Sequence, residues 1–150
     1  MARDAALFDL DGTLCDTASI EHLTQGADRD YAAFHAASAH SPPREDVLDA
    51  LEDARARGLA ILLWTGREFV WRDLTLDWLA RHGIAFDGLY MRLAADYRPA
   101  STIKAALLSD IADDGFRVTE AWEDDPRIVE LLRAADVDRV VDVGPAAERI

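Results

Sequence analysis

Two carboxylates separated by one residue, Asp9 and Asp11, close the apolar run Ala5-Ala6-Leu7-Phe8 and are followed at once by Gly12 and Thr13. Side chains along a strand alternate with period two, so both acids face the same way if the backbone stays extended through Leu10. Gly12 then lets the chain turn sharply, with access to conformations closed to residues that carry a Cβ. Such a pair can divide the work at a phosphorus atom. One carboxylate attacks and forms an aspartyl-phosphate, and the other moves a proton. The competing reading is an Asp-Gly turn between a strand and a loop, a common pattern.

The longer stretch Phe8-Asp9-Leu10-Asp11-Gly12-Thr13-Leu14 resembles the first motif, hhhDxDGT, of the haloacid dehalogenase-like (HAD) phosphatase superfamily. That family also needs a Thr or Ser after a second strand, a Lys opening a later helix, and acids after a fourth strand. The chain supplies Ile61-Leu62-Leu63-Trp64-Thr65-Gly66-Arg67, then Lys104 in Ser101-Thr102-Ile103-Lys104-Ala105, then Trp122-Glu123-Asp124-Asp125-Pro126. All fall in the family's order, so the resemblance runs from Ala5 to about Val143. Four ordered matches are far more specific than any one of them.

The resemblance implies roles. Asp9 is the nucleophile and a metal ligand, Asp11 is the acid–base residue and gives its backbone carbonyl to the metal, and Asp124 supplies a further carboxylate. Asp125 is implied as a second ligand from that segment or as the group that orients a metal-bound water. Thr65 holds a phosphate oxygen, with Gly66, Arg67 and Thr13 completing the substrate-binding set. Carboxylates alone would repel a phosphate ester, and Mg2+ suits the site because it prefers oxygen ligands and keeps waters and substrate oxygens. The metal and Lys104 together neutralise the transferring phosphoryl group. Each residue also has a plainer reading. Asp125-Pro126 makes a good helix N-cap followed by proline at the first helical position, Lys104 could be a solvated helix lysine, and Thr65-Gly66 could be a strand-ending turn.

Within the superfamily the closest resemblance is to the polynucleotide kinase 3′-phosphatase type. It rests on Trp64-Thr65-Gly66-Arg67, on Met91-Arg92 with Asp96-Tyr97-Arg98, on Lys104, and on the run from Glu123 to Glu130. Carried over, Arg67 contacts the substrate phosphate or its neighbouring sugar-phosphate. Two departures stand out: Ser19-Ile20-Glu21-His22 lacks the arginine usual in that branch, and Ala100 replaces an acid one turn before the lysine. The implied substrate is a nucleotide or a 3′-phosphorylated nucleic-acid end, with sugar phosphates as the alternative.

The elements that must position these groups alternate between strand and helix. Strands are expected at Ala5–Phe8, Leu59–Trp64, Leu89–Met91, Phe116–Trp122 and Arg139–Val143. Helices are expected at Asp30–His40, Pro43–Arg57, Glu68–Arg81, Pro99–Asp113 and Pro126–Ala135. Strands joined by helical crossovers imply an α/β fold: a three-layer, Rossmann-like parallel sheet of about five strands with helices on both faces. Asp9, Thr65 and Asp124 each stand at a strand's carboxyl end, where such sheets bind ligands. Residues 1–150 are expected to form one domain, with a small helical insertion at about 15–42 and no larger cap. Trp71, Leu74 and Trp78 share one helical face, which argues for packing rather than base stacking. His22, His35, His40 and His82 show no metal-ligand spacing.

The 29 acidic residues outnumber the 16 Lys and Arg, for a formal charge of -13. Such a surface disfavours extended contact with nucleic acid. Cys15 is the only cysteine, so an intrachain disulfide framework is excluded. No apolar run approaches the ~18 residues of a membrane span, no signal peptide opens the chain, and a cytoplasmic location is expected. A phosphoacceptor domain of the bacterial receiver kind is disfavoured, because it places its phosphorylated aspartate late rather than first. A larger phosphomutase-type cap does not fit the short insertion, and a silent binding module is unsupported because every catalytic position is filled.

Overall fold

A computed structural model describes residues 2–144, so the outer limits of the expected 1–150 unit, Met1 and 145–150, lie outside the described residues. Five strands form one sheet: β1 (Arg3–Asp9), β2 (Ala60–Glu68), β3 (Gly88–Arg92), β4 (Phe116–Glu123) and β5 (Arg139–Asp142). Their order is β3-β2-β1-β4-β5, and every pairing is parallel. The helices are α1 (Tyr31–Ala37), α2 (Glu45–Ala56), α3 (Arg72–Arg81), α4 (Ala100–Asp113) and α5 (Pro126–Ala134).

The alternation along β1 explains the two cores. Ala6 and Phe8 pack with Val47, Leu51 and Ala54 of α2 and Trp78 and Leu79 of α3. Ala5 and Leu7 face the opposite way, onto Ile103, Leu107 and Ile111 of α4 and Ile128 and Leu132 of α5. β2 repeats the pattern, with Ile61 and Leu63 on the first face and Leu62 and Trp64 on the second. Burying each large apolar side chain contributes roughly 1.5–3 kcal/mol before the entropic cost of ordering it. On the first face Phe8 stacks on Trp122, with ring centroids 4.6 Å apart.

The chain runs outward from β1 through β2 to β3, then crosses back to place β4 on the other side of β1. This reversal puts a topological switch beside β1, where open α/β sheets form their ligand crevice. The carboxyl ends of β1, β2 and β4 therefore converge.

Two boundaries differ most from the sequence expectation, each by four residues. β2 continues through Thr65-Gly66-Arg67 to Glu68, and α3 begins only at Arg72, after a 3-10 turn at Phe69–Trp71. The extension follows from pairing: Thr65 and Glu68 both register against β3, at Met91 and Arg92, with an irregularity between them. The region 15–42 contains α1 and two 3-10 turns, Ala18–Thr24 and Ser38–His40. Trp78 donates its indole N–H to Ser41 O at 2.7 Å and is buried in the core, as a packing role requires, while Trp71 and Leu74 of the same expected face are half-buried. No described helix is long and apolar enough to cross a membrane.

Candidate active site

β1 ends at Asp9, which shares the sheet face of Ala5 and Leu7 and so points toward α4. Lys104 comes from the buried side of α4, only 5% exposed. Its ammonium donates to Asp9 Oδ1 at 2.8 Å and to Glu123 Oε2 at 2.9 Å, and it lies 4.6 Å from the centroid of the Trp64 ring. Burial alone would lower the lysine pKa, but the charges of Asp9 and Glu123 outweigh it and raise it, so the ammonium stays protonated. The other oxygen of Asp9, Oδ2, accepts from the Thr13 hydroxyl at 3.1 Å. Both oxygens of the expected nucleophile are thus held by donors.

The chain does not stay extended beyond Asp9. Leu14 N donates to Asp9 O and Cys15 N to Leu10 O, which folds residues 10–15 into a tight turn with Leu10 buried. The condition for the two acids to share one strand face is therefore not met, and although both line one cavity they take different partners. Asp11 turns to β2, where Arg67 grips it with Nη2 at 2.6 Å from Oδ1 and Nε at 3.0 Å from Oδ2. Burial would raise the Asp11 pKa, yet the charge and hydrogen bonds of Arg67 prevail and hold the carboxyl below its usual range.

Gly12 in this turn has φ +83°, and a Cβ there would stand 2.1 Å from Asp124 Oδ2. Only glycine allows both the turn and the close approach of Asp124. One carboxylate oxygen from each of Asp9, Glu123 and Asp124 lies within 4.8 Å of the others. Burial, and next the charge of Asp9, push Glu123 and Asp124 well above the usual carboxylate range. The ammonium of Lys104 offsets only part of the charge of these three crowded acids. Oxygen donors whose crowding favours any cation that can take the place of a proton would suit a hard divalent ion such as Mg2+.

Three expected site residues sit differently from what the sequence suggested. Asp125 caps α5: its Oδ1 accepts from Arg127 N at 2.9 Å, its Oδ2 pairs with the Arg127 guanidinium at 3.0 Å, and Pro126 opens the helix. It lines the cavity but stands outside the carboxylate cluster, and Glu123 occupies that place. Arg67 is only 2% exposed and spends its guanidinium on Asp11 and on Thr75 Oγ1, so in this geometry it braces Asp11 rather than reaching for substrate. Thr13 is fully buried and braces Asp9. Thr65 is buried at the base of the site, where its Oγ1 accepts from Arg67 N at 3.1 Å. Gly66 lines the cavity and offers its carbonyl to Arg92 Nε at 2.8 Å.

Asp9, Asp11, Thr65, Lys104 and Asp124 come together at one cavity of about 730 Å³. His35, which spacing gives no reason to select, lines it from α1, with its ring 5.6 Å from that of Trp71. His22 is exposed and is not among the lining residues.

A parallel sheet with its acids gathered at the carboxyl ends beside the switch point, and a buried lysine from α4 against the first of them, defines a HAD-like α/β phosphatase-type domain. Residues 3–145 match the family described as the polynucleotide kinase PNKP phosphatase domain, and the chain belongs to that family. Among solved structures, it is similar to the Pnkp1/Rnl/Hen1 complex at 27% identity and a TM-score of 0.79, over 96% of this chain and 47% of that one. A second structure, of the Pnkp1/Rnl/Hen1 RNA repair complex, matches at 24% identity and TM-score 0.81, over 96% of this chain and 43% of that one. The class C acid phosphatase from Bacillus anthracis with tungstate bound shares the fold at 13% identity and TM-score 0.68, over 98% of this chain and 68% of that one. The chain thus spans under half the length of the first two. No curated protein matches it significantly.

Proposed function

We propose that this chain is a Mg2+-dependent phosphomonoesterase that works through an aspartyl-phosphate on Asp9, acting on a nucleotide or a short 3′-phosphorylated nucleic-acid end. The observation that carries the reading is Asp9 itself, fixed by Lys104 on one oxygen and Thr13 on the other, in the lining of the cavity. Fixing a nucleophile in this way reduces the reorganisation needed to reach the transition state.

In the first half-reaction an Asp9 oxygen attacks phosphorus, the bond from phosphorus to the leaving oxygen breaks, and that oxygen takes the proton carried by Asp11, which the second half-reaction restores. In the second, water attacks the same phosphorus, Asp11 accepts the water's proton, and phosphate leaves while Asp9 returns as carboxylate. Arg67 keeps Asp11 ionised, so the resting geometry favours its role as base toward water. Donating a proton in the first half requires Asp11 to be protonated against that pairing. Lys104 offsets charge on the phosphoryl oxygens throughout, and Thr65 with the Gly66 backbone lies where a phosphate oxygen can be held. Asp9, Glu123 and Asp124 would hold Mg2+, with the Asp11 carbonyl as a further oxygen, and the ion's contribution is to neutralise charge on the transferring group.

The 15–42 region supports reading the chain as one domain with a short insertion, because its residues Glu21, Thr24 and Tyr31 form a cavity wall rather than a closed cap. An open site of that size admits a nucleotide, while the net charge of -13 disfavours contact along a long polyanion. The test is phosphate release from 3′-mononucleotides, short 3′-phosphorylated oligonucleotides and sugar phosphates, with Mg2+ or with chelator. Nucleotide substrates should lead in kcat/KM, and chelator should abolish turnover. Sugar phosphates leading would leave a phosphatase with the wrong substrate assigned, and full activity after metal removal would remove the Mg2+ requirement.

A further inference from the structure

Five large apolar or aromatic side chains are strongly exposed among the described residues: Tyr31, Phe69, Val70, Leu93 and Tyr97. Only Tyr31 and Tyr97 line the cavity, and they do so from different elements. Tyr97 is 83% exposed, in the loop between β3 and α4, and Tyr31 is 54% exposed, at the first position of α1. No side-chain hydrogen bond from either tyrosine is seen among the described residues.

The loop that carries Tyr97 is held more firmly than an ordinary surface loop. Arg92, at the end of β3, donates through Nη1 to Asp96 O at 2.8 Å and to Arg98 O at 2.7 Å, the carbonyls on either side of Tyr97. Its Nε donates to Gly66 O, which ties the same clamp to the strand end beside Thr65. Asp96 is paired with Arg98 at 2.7 Å. Ala95 adopts φ 60°, an uncommon conformation for a residue with a Cβ, and its N–H donates to Glu68 Oε2 at 3.1 Å. In α1, which also lines the cavity, Asp30 caps the helix by accepting from Ala33 N at 3.0 Å, and Phe34 anchors it in the interior. A loop clamped on both sides of an exposed aromatic residue fixes that residue while gaining nothing from burying it.

We propose that Tyr97, assisted by Tyr31, forms the surface on which the base of the substrate's terminal nucleotide stacks while its phosphate reaches Asp9. The inference rests on the nucleotide reading above and adds the residues that would recognise the nucleoside. A cavity of about 730 Å³ lies within the range that encloses small organic ligands, well beyond the needs of a phosphate group. Stacking on an aromatic face accepts every base, so the site would discriminate base from no base rather than one base from another.

The experiment compares kcat/KM for two short 3′-phosphorylated oligonucleotides, one with a normal terminal nucleoside and one with an abasic terminal sugar. Wild-type protein should prefer the base-bearing substrate by about tenfold, the scale expected of one base–aromatic contact. Tyr97→Ala should bring that preference to within about twofold, Tyr97→Phe should keep it, and Tyr31→Ala should reduce it partly. Equal wild-type rates on the two substrates would overturn the stacking site while leaving the phosphatase reading intact. The stacking site is overturned in the same way if Tyr97→Ala slows both substrates alike. If wild-type protein hydrolyses acetyl phosphate but neither oligonucleotide, the 3′-end reading fails and the stacking site fails with it.

Discussion

Arg67 and Asp11 form a two-point ion pair across the ends of β2 and β1, with the guanidinium almost wholly buried and the second cationic arm bonded to Thr75 Oγ1. Under the proposed mechanism the pairing would give the Thr65-Gly66-Arg67 segment a part in the chemistry that does not require it to touch substrate. Arg67 fixes where the Asp11 carboxylate stands and keeps it charged.

Arg67→Ala should therefore lower turnover of a small phosphate ester and of a nucleotide by similar factors, of the order of tenfold to a hundredfold. Arg67→Lys should recover only part of the loss, because an ammonium cannot reproduce the paired contact. Parallel kcat/KM measurements on methyl phosphate, an alkyl ester whose leaving group also needs a proton, and a 3′-mononucleotide check this. A loss confined to the nucleotide would return Arg67 to a substrate-contacting role.

Lys104 bridges Asp9 and Glu123 with a single ammonium. Lys104→Met keeps much of the side-chain volume and leaves two buried carboxylates facing each other. Removing one partner of a buried pair costs about 3–5 kcal/mol, and losing a charge-stabilising donor costs about 10²–10³ in kcat. Denaturant unfolding and phosphate release measure the two effects. Added Mg2+ should raise the Tm of Lys104→Met by more than it raises that of wild type. An unchanged unfolding midpoint would mean the lysine is not bonded as described.

Neighbouring acids should behave differently. Asp125→Ala removes a helix cap and should cost about 1 kcal/mol of stability while preserving the Mg2+-dependent rise in Tm. Asp124→Ala should abolish that rise. Thermal melts with and without Mg2+ decide between them, and loss of the rise in Asp125→Ala would identify Asp125 as a ligand after all.

Much of this architecture is legible in the residues because local patterns and strand ends carry it. The alternation along β1 and β2, the Pro and Gly stops, and the order of the motifs point to a parallel sheet with Asp9, Thr65 and Asp124 at converging ends. What sequence does not reveal depends on contacts between distant segments. Whether Asp11 follows Asp9 or turns away is decided by the Leu10–Cys15 turn and by Arg67, which is 56 residues on. Apolar composition ends β2 at Trp64, whereas its extension through Glu68 is fixed by pairing with β3. Glu123 does carry a readable signal: it shares the face of Ala121, the face covered by α4, and so points toward Lys104. Asp125 reads equally as cap or ligand, and its bonds to Arg127 place it as the cap. His35 carries no spacing signal, and Tyr97 enters the sequence reading only within the Asp96-Tyr97-Arg98 resemblance; both reach the cavity through the placement of α1 and of the β3–α4 loop.

The most direct test is to look for phosphate on Asp9. Rapid acid quench of wild-type protein during turnover, followed by reduction with borohydride and peptide mass analysis, should convert phosphorylated Asp9 to homoserine at that position alone. Asp9→Asn should show neither the label nor turnover, while keeping its fold by circular dichroism. Turnover by Asp9→Asn within a few-fold of wild type, or label on a different carboxylate, would contradict the covalent mechanism.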